Sequence, residues 1–310
     1  GLEPLTELLA PLARSKPDTV AARAINLLLA DPNGRDERVH QLIAWDPSVI
    51  TLAPVLAHLH LRRQAWLDPY LDGSPLKGRF VSGKTIWLLP LRDGFHRWLP
   101  RQQRAFLRLL AQGAGDRKHP HHARAAIFHQ IARLPIVGVA DLAAYIASDE
   151  VPIAEAALGA LAWIDAPQDA LPILLANLDS DRARVAMYAL PRVARHLDAT
   201  VLAAALLDLI AGPGRKITVR KEALRLLGEH RGPGSVPALQ AALARPDLHK
   251  DVAIAIGHAA RNLLDDPRAL EILARLAASP EPDIARSLIG PRPDLLPAPA
   301  RPGYAALIRG

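Results

Sequence analysis

Residues 78–85 read Gly-Arg-Phe-Val-Ser-Gly-Lys-Thr and match the spacing of a phosphate-binding loop. In that chemistry backbone N–H groups surround the phosphates and the lysine reaches the terminal ones, so a buried strand must precede the loop and a helix must follow it. Here residues 72–77 read Asp-Gly-Ser-Pro-Leu-Lys, and the run after the loop ends at Pro90. Because neither flank supplies the required element, we interpret the match as the turn of a small hairpin over residues 79–87 and not as a nucleotide site.

The densest histidine cluster consists of His119, His121, His122 and His129. His122 and His129 would share a helical face, but no Asp, Glu or Cys lies beside them at the spacing of a metal ligand. We therefore expect a solvated helix start at this place, and no metal. The chain contains no cysteine and no Gly-x-Ser-x-Gly sequence, which are the residues that would mark a nucleophile. We predict no catalytic residue and no cofactor.

Residues 62–108 combine the basic excess of the chain with more than half of its aromatic side chains. The segment holds ten Lys and Arg against three Asp, which accounts for the whole formal net charge of +7, and seven of the 13 aromatic residues. Localised positive charge attracts anionic partners. Two interpretations stay open: a recognition surface of arginines and stacking rings, or a small core of the segment itself that arginine stems cover. The candidate partner-binding residues are Arg79, Lys84, Trp87, His96, Arg97, Trp98, Arg101 and Arg104.

The elements that must position these side chains differ along the chain. Proline, glycine and aspartate interrupt any helical period over residues 66–100, so we expect an insertion there that is either irregular or a β-hairpin. Residues 1–65 are predicted to form N-terminal helical repeats, and residues 101–290 a longer array of them. Residues 291–310 begin with a proline-rich linker and end with the start of a further helix.

A short pattern recurs seven times: a small residue, two free positions, Ala or Leu, an aliphatic residue and usually Gly. From the second copy onward, the copies begin 31, 32, 37, 29 and 33 residues apart. A period of this length is typical of stacked helix pairs, because one pair cannot bury its apolar face alone. The copies begin at Ala21, Ala123, Ala154, Ala186, Ala223, Val252 and Ala285.

The repeated residues resemble HEAT repeats, in particular the short HEAT-like repeats of bilin lyases. Residues 149–159 and 219–228 carry the resemblance best; it covers about 118–290 well and 1–60 weakly. It implies an all-α, right-handed, armadillo-like superhelix of antiparallel helix pairs that is used mainly to bind proteins. The glycine of the pattern fits that architecture, because a missing side chain lets a neighbouring helix approach closely. HEAT-like DNA glycosylases also exist, but we match none of their catalytic positions here.

Composition limits the class of protein further. Half of the residues are apolar and 22% are charged, as in globular proteins. The longest apolar runs, such as residues 201–207, are far shorter than the roughly 18 residues of a membrane span. The N-terminal residues do not have the pattern of a secretory signal, and the absence of cysteine fits a reducing compartment. We expect a cytoplasmic chain, and one that is part of a longer protein, because neither end carries a polar capping repeat.

These observations favour a non-catalytic scaffold that binds another protein, or the remainder of its own chain, on the concave face of a HEAT-like solenoid. The alternative is nucleic-acid binding through the basic residues 62–108, whose arginines would contact the phosphate backbone. A uniformly positive face would favour nucleic acid, and an apolar face of mixed charge would favour a protein partner. We expect no interaction with a membrane.

Overall fold

The described part of the chain is mainly helical. The computed structural model describes residues 3–15, 17–84, 86–212, 214–246, 248–289 and 296–309. Within these residues the regular structure consists of α-helices and short 3-10 helices, and no β-strand is formed, which confirms the predicted all-α fold class. None of the helices in this part of the chain combines the length and apolar character needed to cross a membrane. The chain divides into two compact units, residues 1–137 and 138–310.

The described residues of the first unit form six α-helices. α1 packs on α2, α2 on α4, and α5 on α6. Short 3-10 helices form at Pro47–Thr51, before α4, and at Gln64–Tyr70 and Phe95–Arg97, near the two ends of the predicted insertion. The α-helices are α1 (Glu3–Ala13), α2 (Asp18–Leu28), α3 (Arg35–Trp45), α4 (Ala53–Arg62), α5 (Pro100–Gly115) and α6 (His121–Ile131).

Two forms were predicted for the insertion between α4 and α5, an irregular segment or a β-hairpin, and the structure shows the irregular one. The described residues between Leu71 and Gly94 form neither helix nor strand. The prediction of a hairpin over residues 79–87 is therefore wrong for the described residues of that stretch, which are all of them except Thr85. The physical reason is that the backbone N–H groups of Arg79 and Phe80 are bound by side chains of an earlier segment and not by a facing strand.

The second unit consists of consecutive antiparallel helix pairs followed by one further helix. Residues 290–295, which include part of the expected linker, lie outside the described residues. The helices are α7 (Val139–Ile146), α8 (Val151–Ala160), α9 (Pro167–Asn177), α10 (Ala183–Ala194), α11 (Ala199–Ala211), α12 (Ile217–His230), α13 (Ser235–Leu243), α14 (Lys250–Asn262), α15 (Pro267–Ala277), α16 (Pro282–Leu288) and α17 (Arg301–Arg309).

The pairs of the second unit stack in two layers. Each odd-numbered helix from α7 to α15 packs on the helix that follows it. The second helices of the pairs, α8, α10, α12, α14 and α16, also pack on each other in that order, and α11, α13, α15 and α17 do the same. Neighbouring pairs therefore bury each other's apolar faces, as the repeat period predicted.

The repeated pattern supplies the buried face of the second helices. In three consecutive copies, on α8, α10 and α12, the small residue, the fourth residue and the following aliphatic residue are all at most 4% exposed. The last copy departs from this rule, since α16 ends at Leu288 and the side chain of Ile289 is 67% exposed. The buried residues of the three copies are Ala154, Ala157, Leu158, Ala186, Ala189, Leu190, Ala223, Leu226 and Leu227.

Basic side chains in the turn between the two helices of a pair donate hydrogen bonds to the preceding helix pair. The Arg182 guanidinium, between α9 and α10, donates to the carbonyl of Ile146 at the end of α7 at 2.6 Å. Arg245, between α13 and α14, donates to the carbonyl of Ala211 at the end of α11 at 2.7 Å. The last carbonyls of a helix have no partner within it, and they lie at the negative end of its dipole. These arginines therefore connect successive first helices as well as satisfying those carbonyls.

Glycine at the end of the pattern has a different role in different copies. A Cβ atom on Gly228 in α12 would lie 2.8 Å from the Cα and 3.1 Å from the Cβ of Ala259 in α14. The backbones of α12 and α14 therefore approach so closely that only glycine fits. A Cβ atom on Gly159 in α8 would meet only Cγ1 of Val185, at an ordinary contact distance of 3.5 Å.

We expect Gly228→Ala to lower the free energy of unfolding by about 1–3 kcal/mol, because the added methyl must push the α14 backbone away. Gly159→Ala is the matched control, and we expect it to be neutral or stabilising by up to about 1 kcal/mol, the gain in helix propensity. Urea unfolding followed by circular dichroism measures both. Equal effects of the two substitutions would contradict the close approach of α12 and α14.

Candidate functional site

The glycine-rich loop is held by a buried polar pair, Asp46 and Ser48. One carboxylate oxygen of Asp46 accepts the N–H of Arg79 at 2.8 Å, and the other accepts the N–H and the hydroxyl of Ser48 at 2.8 and 2.7 Å. The Ser48 hydroxyl oxygen in turn accepts the N–H of Phe80 at 3.0 Å. A Cβ atom on Gly78 would overlap both side chains, so glycine is required there.

This arrangement agrees with the interpretation of the loop as something other than a phosphate site. Two of the N–H groups that would surround a phosphate are already bonded to Asp46 and Ser48. Residues 86–92 after the loop form no helix, although the motif requires one at that position. The loop therefore attaches the insertion to the 3-10 helix Pro47–Thr51.

Trp98, one of the candidate partner-binding residues, is a core residue. Its side chain is only 3% exposed. Its ring lies 5.2 Å from that of Phe95 and 5.5 Å from that of Phe106, between ring centroids. The prediction that Trp98 offers a stacking surface is therefore wrong; for this side chain, the interpretation as a small core of the insertion applies, because an irregular segment still needs apolar burial.

His60 joins that aromatic core through two hydrogen bonds. The indole N–H of Trp98 donates to Nδ1 of His60 at 3.0 Å, and Nε2 of His60 lies 2.8 Å from the carbonyl oxygen of Asp93. An indole only donates and a carbonyl only accepts, so the imidazole is neutral with its proton on Nε2. Burial lowers the pKa of His60 below its usual value, since the charged form would lose its hydration.

Three glutamine side chains hold the backbone of the insertion. Gln130 in α6 donates from its amide to the carbonyls of Leu89 and Leu91, both at 2.8 Å. Gln103 in α5, which is buried, donates to the carbonyls of Phe95 and Trp98, both at 3.1 Å. Gln102 donates to the carbonyl of Gln64 at 2.8 Å. Side chains of the flanking helices thus replace the ladder that a hairpin would have provided.

The remaining candidate residues lie at the surface but not in one cluster. Arg101 forms an ion pair with Asp68 at 2.8 Å, and its hydrogen bond lowers the pKa of that carboxyl. Two of the eight candidates, Lys84 and Trp87, line one groove; Trp87 is half-buried. The exposed candidates outside the groove are Arg79, His96, Arg97, Arg101 and Arg104.

The groove has a volume of about 800 Å³ and lies between the insertion and the helices α5 and α6. Its apolar lining includes side chains of both elements, and its charged lining includes two lysines, Lys84 and Lys118, and one aspartate, Asp116. The sequence analysis did not find the side chains from α5 and α6, because only the folded chain brings them beside the insertion. The apolar lining consists of Val81, Ile86, Trp87, Leu88, Leu109, Ala123 and Ile127.

The histidine cluster begins beside this groove. His119 lines it, and the rest of the cluster is exposed on α6. Across the described residues, no three His, Asp or Glu side chains are grouped in a way that could hold a metal ion.

A second surface is formed by the exposed side of the second helices in the second unit; we call it the second-helix face. The second free position of the repeated pattern points to it, with Tyr188 on α10 and Arg225 on α12. The Tyr188 side chain is 78% exposed. One turn further along α10, the Arg192 guanidinium lies over the ring of Trp163 at 3.3 Å from its centroid. The sequence analysis missed these residues, although the three-residue interval between the buried positions would have identified Tyr188 as solvent-facing.

Charges of both signs alternate on the second-helix face. Arg225 forms ion pairs with Glu222 and Glu229 on its own helix. Lys221 lies 3.9 Å from Asp251 of the next repeat. The face is therefore of mixed charge along α12 and α14, and a single-sign field is not present there.

Comparisons with known proteins agree with the repeat architecture. Residues 203–289 match the family model described as HEAT repeats, which confirms the predicted resemblance over the stretch that runs from α11 to α16. Residues 203–289 thus match a class of module that generally mediates protein interaction and is typically non-enzymatic. No curated protein and no solved structure matches the chain.

The state of His60 makes stability depend on pH. In the unfolded chain the imidazole titrates near 6.5, and in the folded chain it titrates lower. Between the two pKa values the unfolded state binds more protons, so the stabilisation is complete above about pH 6.5 and is lost as the pH falls below it. A single histidine contributes a slope of at most about 1.4 kcal/mol per pH unit.

We expect His60→Gln to reduce the slope of unfolding free energy against pH between about pH 5 and 6.5, because an amide keeps one donor and one acceptor but does not titrate. The slope should not vanish, since burial also lowers the pKa of His58, His230 and His258. The control is the same substitution at an exposed histidine of α6, His122→Gln, which should change the slope less than His60→Gln does. Denaturant unfolding at several pH values measures it; a slope unchanged by His60→Gln would contradict the neutral state assigned to this histidine.

Proposed function

We propose that this chain is a non-catalytic scaffold that binds another protein, and that the second-helix face of the second unit is the concave, partner-binding face of its repeats. The observation that carries the proposal is the composition of that face, which combines the largely exposed Tyr188 with charges of both signs. The HEAT-repeat match over residues 203–289 supports the same class of function.

The aromatic and arginine side chains on α10 have the character of an interface anchor. Tyr, Trp and Arg dominate the binding energy of protein interfaces, because they bury a large area and keep a polar group for a partner. Tyr188 and Arg192 lie one turn apart on α10, and Arg192 stacks on Trp163 of the 3-10 helix Leu161–Trp163 that follows α8. A mixed-charge surround provides the polar rim that such anchors require.

Nucleic-acid binding through residues 62–108 receives less support than a protein partner. Arg63 is paired with Asp36, and Arg101 with Asp68, so part of the basic charge is neutralised locally. Trp98, Phe95 and Phe106 are buried and cannot stack on bases.

We expect a photo-crosslinking residue at position 188 to capture one specific protein in the cells that produce this chain. The matched control places the same residue at position 241 on α13, where Ala241 is exposed in the other helix layer. Mass spectrometry of the adducts should identify a protein captured at 188 and not at 241. With that protein purified, Tyr188→Ala should weaken binding by about tenfold or more, the range of an interface anchor.

Two results would overturn the proposal. One is the same set of adducts at positions 188 and 241, which would show non-specific capture. The other is a purified partner whose affinity does not change in Tyr188→Ala or in the charge reversal Arg184→Glu, at an exposed residue one turn before Tyr188 on α10, when both variants retain the wild-type melting temperature.

A further inference from the structure

The groove of the first unit has a floor that is packed tightly against a helix. Cδ1 atoms of Leu88 and Ile127 approach Gly113 in α5 so closely that a Cβ atom there would lie 2.9 and 3.0 Å from them. Leu109 is buried beside them, and the half-buried Trp87 forms one side. An apolar side chain of a ligand would therefore find a preformed surface of aliphatic groups beside an indole ring.

The backbone along one wall of this groove is fixed at both ends, and residues 86–88 between these ends are unbonded within the described part of the chain. Upstream, Asp46 and Ser48 bind the N–H groups of residues 79 and 80. Downstream, Gln130 binds the carbonyls of Leu89 and Leu91. The N–H and C=O groups of residues 86–88 make no hydrogen bond to any other described residue. These groups form a row of hydrogen-bond donors and acceptors, and the anchored residues before and after them fix the position of the row.

The charge at the groove is positive on balance. Lys84 on the insertion and Lys118 after α5 are both exposed there. The carboxylate of Asp116 is occupied in part, because it accepts the N–H of Lys118 at 3.0 Å and lies 3.7 Å from Nε2 of His119. Arg124 is buried and donates to the carbonyl of Ala114 at 2.7 Å, so it holds the corner between α5 and α6.

We propose that this groove binds an extended acidic peptide segment of a partner protein. The main chain of the segment pairs with residues 86–88, one apolar side chain lies against Trp87 and Ile127, and carboxylates contact Lys84 and Lys118. A row of main-chain donors and acceptors is what strand addition uses for affinity, while adjacent pockets and charges give specificity. The proposal extends the proposed function, since both make the chain a protein-binding module, but it concerns a different surface.

A path for a longer segment continues past Trp87. Val81 and Trp87 also line a second groove of about 410 Å³, whose other wall includes Thr19 in α2 and Thr51. An extended chain advances about 3.3 Å per residue, so several peptide residues are needed to pass from one groove to the other. This continuity favours a peptide over a compact anion, which would fill one groove alone.

The test is selection of a phage-displayed library of random 12-residue peptides on the purified chain, followed by fluorescence anisotropy of the enriched peptides. We expect enriched sequences with an apolar residue among Asp and Glu. The double charge reversal Lys84→Glu with Lys118→Glu should weaken their binding at least tenfold, and Trp87→Ala should do so as well. The matched control is Arg97→Glu with Arg104→Glu, two exposed charges of the same basic segment outside the groove, which should change the affinity less than threefold.

Other outcomes overturn the proposal. No enriched peptide, or enriched peptides indifferent to the Lys84 and Lys118 reversals in a variant with wild-type melting temperature, would exclude the site. Binding of decanoate or of a 12-nucleotide single-stranded RNA that depends on these lysines, without any peptide binding, would replace it by another ligand class. Peptides that lose affinity in Tyr188→Ala but not in the lysine variant would belong to the second-helix face, which supports the proposed function and contradicts the groove.

Discussion

The second unit depends on how closely its second helices approach one another. Ala and Gly at the repeated positions bring the helices near enough for the neighbouring Leu and Ile side chains to be fully buried, and at Gly228 the approach leaves no room for even a methyl group. Protein interiors are packed at the density of organic crystals, so the small residues decide the spacing and the aliphatic residues fill it. The arginines that bind carbonyls of the preceding pair add a directional contact to this non-directional packing.

The insertion of the first unit is stabilised in a different way. It has no repeated packing unit, and its backbone groups are satisfied by single side chains that come from distant parts of the sequence, among them Asp46, His60 and Gln130. Each of these side chains binds two partners and is largely removed from solvent, where an unmade hydrogen bond is costly. The order of the segment therefore rests on a few polar residues, in contrast to the distributed apolar burial of the second unit.

This contrast explains which features could be predicted from the sequence. The helix pairs were predictable because their signal is periodic and local: the small residue, the fourth residue and the aliphatic residue recur, and in the copies on α8, α10 and α12 all three are buried. The hairpin was not formed because the partner of Arg79 and Phe80 is Asp46 with Ser48, more than thirty residues earlier, and no local pattern reports such a partner. The residue type of Trp98 suits a surface anchor, but its side chain lies in the core. Only the tertiary contacts of the folded chain determine which of the two roles a tryptophan has.

Charge illustrates the same limit for the candidate sites. The sequence places the whole basic excess in residues 62–108, yet folding separates those side chains: Arg63 and Arg101 meet carboxylates, and only Lys84 joins Lys118 beside Trp87. A cluster along the sequence is therefore not a cluster in space. What a partner meets is instead set by the helix faces: on α12, residues three and four positions apart place Glu222 and Glu229 on either side of Arg225. Because like and unlike charges alternate at this short distance, their fields cancel within a Debye length, and the binding that we propose for the second-helix face would rest on contact and shape more than on long-range attraction.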